Sequence, residues 1–312
     1  MAARRGILLI GGNGFLGLAL ARAFVAAGLE PHVVARTVDP GRREGIAFHR
    51  GSQDAPEVVA PLLRVCGTVI HLASTTTPGL SAGRSSVDAI ENLLPAARLL
   101  ETMATTPPDR LIFISSGGAI YGNPERLPAD ESQPPNPLSS HAAGKAALEA
   151  FFTSFAHGNQ VPLTIVRPSN LYGPGQLLRG GFGLVRTLLD KALRAEPVEV
   201  WGDGNSVRDY LFIDDAVDAC SRLLTQSNRS GTFNLGSGVG TSISELIGLT
   251  RRVTGRDIKV IAHPAREVDV RAIVLDSTRL GAATGWVPHT DLETGVRRTW
   301  AWLRGAADHQ GP

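Results

Sequence analysis

Residues 7–17 read Ile-Leu-Leu-Ile-Gly-Gly-Asn-Gly-Phe-Leu-Gly, and this stretch decides the fold. Ile7–Ile10 is a short apolar run of strand character, and Phe15 opens a helical pattern that runs to Ala27 and stops at Gly28. Glycines stand between them at 11 and 14, and again at 17. A strand that enters a helix through such a turn brings bare backbone close to an anion. Glycine permits the tight turn, the close approach and the packing of helix on strand. The helix start adds free N–H groups and the positive end of its dipole. The spacing predicts a pyrophosphate cradle made by Gly11, Asn13, Gly14, Phe15, Leu16 and Gly17, and with it a dinucleotide cofactor.

Working outward, further apolar runs at His32–Ala35, Thr68–Leu72, Leu111–Ser115 and Leu163–Val166 read as strands. Helical patterns at Val58–Leu63, Val87–Met103 and Ala142–Ala156 lie between them. Short buried strands alternating with helices predict an α/β fold, a doubly wound parallel sheet of Rossmann type. After Pro168 the alternation is lost. A Gly/Pro-rich stretch, Gly173 to Gly183, leads to a helix near Leu184–Leu193 and then to mixed short elements. These predict a smaller C-terminal α/β substrate domain. Leu211-Phe212-Ile213 before Asp214-Asp215 reads as a strand and helix cap that return to the first domain. The boundaries expected are 1–168 plus about 208–236 for the dinucleotide-binding domain, 169–207 plus 237–304 for the substrate domain, and 305–312 for a tail.

The chain has 312 residues, a formal net charge of +2 and 43% hydrophobic residues. That balance argues against a nucleic-acid arm or a polybasic membrane patch. The apolar run after Arg4 and Arg5 is shorter than a signal-peptide core, and nothing approaches a membrane span. Two cysteines, Cys66 and Cys220, give neither a disulfide framework nor a metal spacing. The expectation is a cytoplasmic protein with no metal, nucleic acid or membrane partner.

Several later motifs follow in order. They are Val69-Ile70-His71-Leu72-Ala73, the loop Ser115-Ser116-Gly117-Gly118-Ala119-Ile120-Tyr121-Gly122, and Arg167-Pro168-Ser169-Asn170-Leu171-Tyr172-Gly173. Gly202-Asp203-Gly204 with Arg208-Asp209-Tyr210, and Phe233-Asn234-Leu235-Gly236, complete the set. With the glycine turn, they make the chain resemble the extended short-chain dehydrogenase/reductases, in particular the NAD-dependent nucleotide-sugar epimerase/dehydratase family, from about residue 6 to residue 304. The resemblance implies a bound nicotinamide cofactor, a nucleotide-sugar substrate and a homodimer through the helices near Val87–Met103 and Ala142–Ala156. It places Ser52 and Gln53 by the adenine, Leu72, Ala73 and Ser74 along the dinucleotide, Asn92 near its nicotinamide half, and Pro168 among the cofactor contacts. At the end of the second strand, where an acid often holds the adenosine ribose, stands Ala35 followed by Arg36. A guanidinium without a neighbouring carboxylate suits a 2′-phosphate. The cofactor is therefore NAD or NADP, with a lean to NADP.

The resemblance also implies a Tyr-x-x-x-Lys pair, in which tyrosine takes the substrate hydroxyl proton and lysine lowers its pKa and holds the nicotinamide ribose. Four residues apart on a helix, the two share one face. This chain has the lysine, Lys145, but His141 stands at the tyrosine position. Its three tyrosines, Tyr121, Tyr172 and Tyr210, are followed four residues on by Glu125, Gln176 and Asp214, so the motif exists nowhere else. The family hydroxyl maps to Gly117, which leaves Ser116 as the candidate for that role. Two readings compete. Neutral His141 accepts the proton, or the site is disabled and the protein only binds cofactor and sugar nucleotide.

On the substrate side, the resemblance assigns Asn170, Arg208 and Arg266 to the diphosphate, with Asp269 nearby, Trp201 to the base, and Thr76 within Thr75-Thr76-Thr77 to the sugar pocket. The function implied is nucleotide-sugar 4-epimerisation, of a UDP-hexose, through a transient keto sugar. Gly117 and Gly118 replace the Asp-Glu pair of a dehydratase. A reductase that releases its cofactor is the enzymatic alternative.

Overall fold

The computed structural model describes residues 4–37, 44–76, 84–178, 183–225, 230–266 and 269–308. The chain divides into two units. The first holds residues 1–116, 139–167 and 217–233; the second holds 117–138, 168–216 and 234–312.

The first unit is built on six strands, β1 (Gly6–Ile10), β2 (Glu30–Ala35), β3 (Ala47–Arg50), β4 (Cys66–His71), β5 (Arg110–Ile114) and β6 (Leu163–Pro168). Their pairings with one another are parallel. Strands β1, β5 and β6 are buried along their whole length. Helices cover both faces of such a sheet, so polar alternation is absent from its central strands. The expected doubly wound parallel sheet is present.

Helices α1 (Phe15–Ala26), α2 (Pro56–Leu63), α3 (Ser85–Asp88), α4 (Leu94–Thr105), α5 (Gly117–Ile120) and α6 (Ser140–Asn159) follow along the chain. The single helix expected over Val87–Met103 is two helices joined by a π-helical turn, Ala89–Leu93. The cause is Pro95. It has no N–H, and in a regular helix its ring would clash with the carbonyl four residues back, that of Glu91; the turn ahead of it is widened instead. Helix α6 starts on Ser139, whose Oγ accepts from Ala142 N at 3.2 Å. Its buried positions include His141, Lys145, Leu148, Glu149, Phe152 and Phe155, a stripe along one face. Phe152 stacks on Phe113 at 4.6 Å.

The second unit begins with β7 (Asn170–Tyr172), α7 (Leu184–Arg194), β8 (Val198–Trp201) and β9 (Val207–Phe212). Next come α8 (Ile213–Thr225) and β10 (Gly231–Leu235), each crossing between the units, then β11 (Gly240–Ser242), α9 (Ile243–Thr254), β12 (Val260–His263), α10 (Thr278–Thr284) and α11 (Leu292–Asp308). The large sheet has the order β10-β6-β5-β4-β1-β2-β3, and two small sheets run β11-β9-β7 and β12-β8.

The division differs from the expected boundaries in several places. Residues 117–138 count with the second unit, and so do 168, 208–216 and 234–236. Strand β9 finds its partners in β7 and β11, not in the large sheet. Fully buried Asp209 pins it there, accepting from Ser237 N at 2.8 Å, Ser237 Oγ at 2.7 Å and Gly238 N at 3.2 Å. Finally, the residues expected as a tail from 305 continue α11 to Asp308, behind the buried stripe Val296, Trp300 and Leu303. Residues 309–312 lie outside the described residues.

Candidate active site

The glycine turn is shaped by backbone contact. Gly11 has φ +76°, and a Cβ on it would stand 2.5 Å from Ala73 Cα; one on Gly17 would stand 2.6 Å from Gly12 Cα. Gly14 is different, because a Cβ there would meet only Gly11 O, at 3.5 Å, and otherwise open space. Helix α1 begins on Gly14 with no side-chain cap and no acidic residue in its first turn. The positive end of the helix dipole therefore opens onto free space beside bare backbone, which fits a pyrophosphate. Asn13 Nδ2 donates to Thr37 O at 2.7 Å and closes one side of the turn.

The adenosine-side residues have partners of their own. Arg36 pairs with Glu91 at 3.6 Å, both well exposed. Ser52 Oγ donates to the Asp54 carboxylate, which Arg98 also reaches at 3.4 Å. Gln53 Oε1 lies 2.7 Å from Nε2 of His71, an imidazole whose burial, helped by nearby Lys145, pushes its pKa down to about 3.

The catalytic face is on α6. His141 is buried, with 11% of its side chain exposed. Burial lowers its pKa to about 4; Lys145 acts in the same direction and Asp88 opposes. Its seat in the first turn of α6, at the positive end of the dipole, also disfavours imidazolium. Lys145 Nζ donates to Ile114 O at 3.0 Å and lies 5.1 Å above the Phe113 ring. Burial brings this ammonium down to about 8, against the pull of Asp88 and Glu149. Glu149 is held by Arg167 through two bonds of 2.9 and 2.6 Å. The Ser116 hydroxyl has no side-chain partner among the described residues, and Gly117 opens α5 beside it.

Around His141 the structure assembles a buried polar network. Thr76 Oγ1 lies 3.2 Å from His141 Nδ1, donates to Asp88 Oδ1 and accepts from Asn92 Nδ2 at 2.8 Å. Asn92 Nδ2 also donates to Asp88 Oδ1 at 3.0 Å, and Asn92 Oδ1 accepts from Thr75 N at 2.8 Å. Thr76, expected at the sugar, and Asn92, expected at the nicotinamide, thus spend these bonds inside the protein. Thr77 lies outside the described residues. Two participants escape the sequence reading, Asp88 and Gly144. A Cβ on Gly144 would collide with Asp88 Oδ2, so α3 and α6 meet here only over a bare Cα. The available signal is a glycine inside a helix, between His141 and Lys145.

Within the second unit, Asn170 and Tyr210 pair in register on β7 and β9. Asn170 Nδ2 and the Tyr210 hydroxyl are both buried without a partner. Such orphaned groups are costly unless a ligand meets them. Arg208 sits beside them on β9, donating to Val207 O at 2.9 Å; burial pulls its pKa down, opposed by Tyr210 and Asp269. Arg266 is held by Asp269 through bonds of 2.9 and 3.0 Å and stacks 4.6 Å over Trp201, which also stacks on His263. Arg266, expected at the diphosphate with Asp269 nearby, is thus paired with that aspartate.

Residues 7–236 match the NAD dependent epimerase/dehydratase family. The chain is 31% identical to a UDP-glucose 4-epimerase of Mycolicibacterium smegmatis over 309 residues, 95% of this chain and 98% of the relative. Two solved structures, each at TM-score 0.90 and 31% identity, agree with it. One is the UDP-glucose 4-epimerase of Thermotoga maritima with UDP-glucose, covering 97% of this chain and 99% of that one. The other is the UDP-glucose 4-epimerase of Thermus thermophilus in complex with NAD, covering 96% and 99%. With its parallel sheet, its glycine turn and its ordered motifs, the chain belongs to the NAD dependent epimerase/dehydratase family.

Proposed function

We propose that the protein is a nucleotide-sugar 4-epimerase, acting on a UDP-hexose, in which His141 does the work of the family tyrosine. The observation that carries this reading is a buried imidazole, its pKa pushed down by burial, on the same face of α6 as Lys145. A nicotinamide dinucleotide seated on the turn Gly11–Gly17 would supply the acceptor and returning donor of hydride. His141 takes the proton of the sugar 4-hydroxyl as the hydrogen on carbon 4 departs as hydride. Oxygen 4 becomes a ketone, and His141 returns the proton when the carbon is reduced on its other face. Burial, and after it the Lys145 charge, hold the His141 pKa down, which leaves the imidazole unprotonated and ready to accept. Asn170 and Arg208 are the candidates for the diphosphate, supported by the orphaned Asn170 amide and the buried guanidinium.

Three finer points belong to the same reading. The cofactor is NAD or NADP, with the lean to NADP resting on Ala35 and Arg36. The protein is a homodimer, supported by exposed Ile90 and Leu94 near the start of α4 and exposed Phe151 on α6. It works in the cytoplasm, in keeping with two buried, unpaired thiols.

The test is direct. Purified protein incubated with UDP-glucose and followed by proton NMR should show the 4-epimer growing without consumption of added cofactor. Net turnover only with NADPH would favour the reductase. Gly117, in place of a hydroxyl, favours the disabled-site reading. Inert wild-type protein beside an active His141→Tyr variant would establish that reading instead.

A further inference from the structure

The direction of every hydrogen bond around Thr76 follows from what each group owns. Thr75 N can only donate, and it meets Asn92 Oδ1 at 2.8 Å. The amide orientation of Asn92 is thereby fixed, and its Nδ2 donates to Thr76 Oγ1 at 2.8 Å. The Thr76 hydroxyl has one proton, and the Asp88 carboxylate beside it only accepts, so that proton goes to Asp88. Thr76 Oγ1 is then an acceptor toward its remaining neighbour, His141 Nδ1, at 3.2 Å. Nδ1 must donate.

From this chain of bonds we propose that Asp88 and Thr76 are positioning residues, which hold neutral His141 as the Nδ1–H tautomer and leave the Nε2 lone pair to accept the sugar proton. The inference rests on the His141 reading above and adds the device that makes it work. In a chain without the tyrosine, an Asp–Thr–His relay orients the base, by the logic of an acid that fixes a histidine tautomer from behind. In the forward step the sugar O–H bond breaks and an Nε2–H bond forms, while the hydrogen on carbon 4 leaves as hydride, for which a bound nicotinamide would be the acceptor. The resulting imidazolium still donates through Nδ1 to Thr76, with the Asp88 carboxylate 4.0 Å from Nδ1 to balance its charge. The proton returns from Nε2 when hydride returns. The charged groups facing His141 are Asp88 from α3 and Lys145 from its own helix. The π-helical turn brings Asn92 round to the same oxygen as Asp88, and Gly144 leaves room for the carboxylate.

The tautomer can be read without activity, by nitrogen NMR of the full-length protein labelled with ¹⁵N-histidine. The His141 signals are those lost in His141→Gln. The expected result is a protonated Nδ1 and an unprotonated Nε2 at neutral pH. Thr76→Val should mix or invert the tautomers and lower kcat on UDP-glucose by about 10²-fold with KM little changed, while Thr76→Ser restores both. Should Thr76→Val fail to fold, Asp88→Asn serves. Its amide oxygen still accepts from Thr76, so the tautomer stays, but without the charge His141 should titrate at lower pH than in wild type. A wild-type Nε2–H tautomer, an unchanged tautomer in Thr76→Val or an unmoved titration in Asp88→Asn overturns the proposal. The reading beneath it fails differently, by the expected tautomer in a protein whose turnover survives His141→Gln.

Discussion

The glycine turn and the His141 face of α6 belong to the same unit but are fixed by different forces. The turn is held by backbone sterics, with Gly11 against Ala73 and Gly17 against Gly12 at distances no side chain tolerates. The α6 face is held by side-chain hydrogen bonds among Thr76, Asp88, Asn92 and His141, drawn from three separate segments. Backbone sterics leave a periodic mark in the sequence, because only glycine satisfies them. A polar network leaves no spacing, and can be rebuilt from other residue types once one member changes. That is how a chain can keep the family's cofactor turn and lose its tyrosine.

The largest expected effect falls on the network. His141→Ala should lose about 10²–10⁴-fold in kcat while still binding cofactor, the range of a general acid–base group. Steady-state kinetics beside NAD calorimetry measures both, and a variant within a few-fold of wild type would break the assignment. The pH profile sharpens it. Neutral imidazole is the active form and its pKa is pushed down to about 4, so activity should hold well below pH 6.5 and fall on the acid side as His141 takes a proton. On the alkaline side it should fall as Lys145 sheds its proton near 8. The sign for stability is the same as for the acid limb. Unfolded chain binds the proton from about 6.5 downward and folded chain only near 4, so folding weakens as pH drops through that window.

These two regions also differ in how far sequence alone reveals them. The parallel sheet and the turn are legible, because buried strands and glycine positions are local patterns. Strand β3 is not, since its four residues are at most half-buried and carry no apolar run. The break in the Val87–Met103 helix is written in Pro95, but its consequence, Asn92 and Asp88 converging on Thr76, needs the third dimension. The pairing of Arg266 with Asp269 is hidden for the same reason; both residues stand out in the sequence, and their mutual bond does not.

The next effect separates backbone from ligand within the turn itself. A side chain on Gly17 collides with Gly12 backbone, so Gly17→Val should lower thermal stability, by about 1–3 kcal/mol as overpacking does. Gly14 faces open space, so Gly14→Val should melt like wild type and yet bind NAD about 10–100-fold more weakly, each 1.4 kcal/mol being tenfold. Calorimetry and a melting curve on both variants decide it. Equal stability loss in the two would mean that Gly14, too, serves the fold and not the pyrophosphate.

The smallest effect is at the other end of the cofactor, where side chains set the choice again. Arg36 follows Ala35, where an acid would repel a 2′-phosphate, and its guanidinium is exposed. Yet Glu91, 3.6 Å away, supplies a carboxylate from the π-helical turn. A 2′-phosphate would have to take Arg36 from Glu91 and sit near that negative charge. Exposed pairs of this kind are worth roughly 0–1 kcal/mol, so the competition is mild. Glu91→Gln should therefore raise the NADP-to-NAD affinity ratio several-fold. Ala35→Asp with Arg36→Asn removes the guanidinium and adds repulsion, and should lower that ratio by about tenfold or more. Titration of both cofactors into each variant gives the ratio directly. If it moves with neither change, the adenosine end is held by backbone alone, like the pyrophosphate end, and the contrast between the two regions extends along the whole dinucleotide.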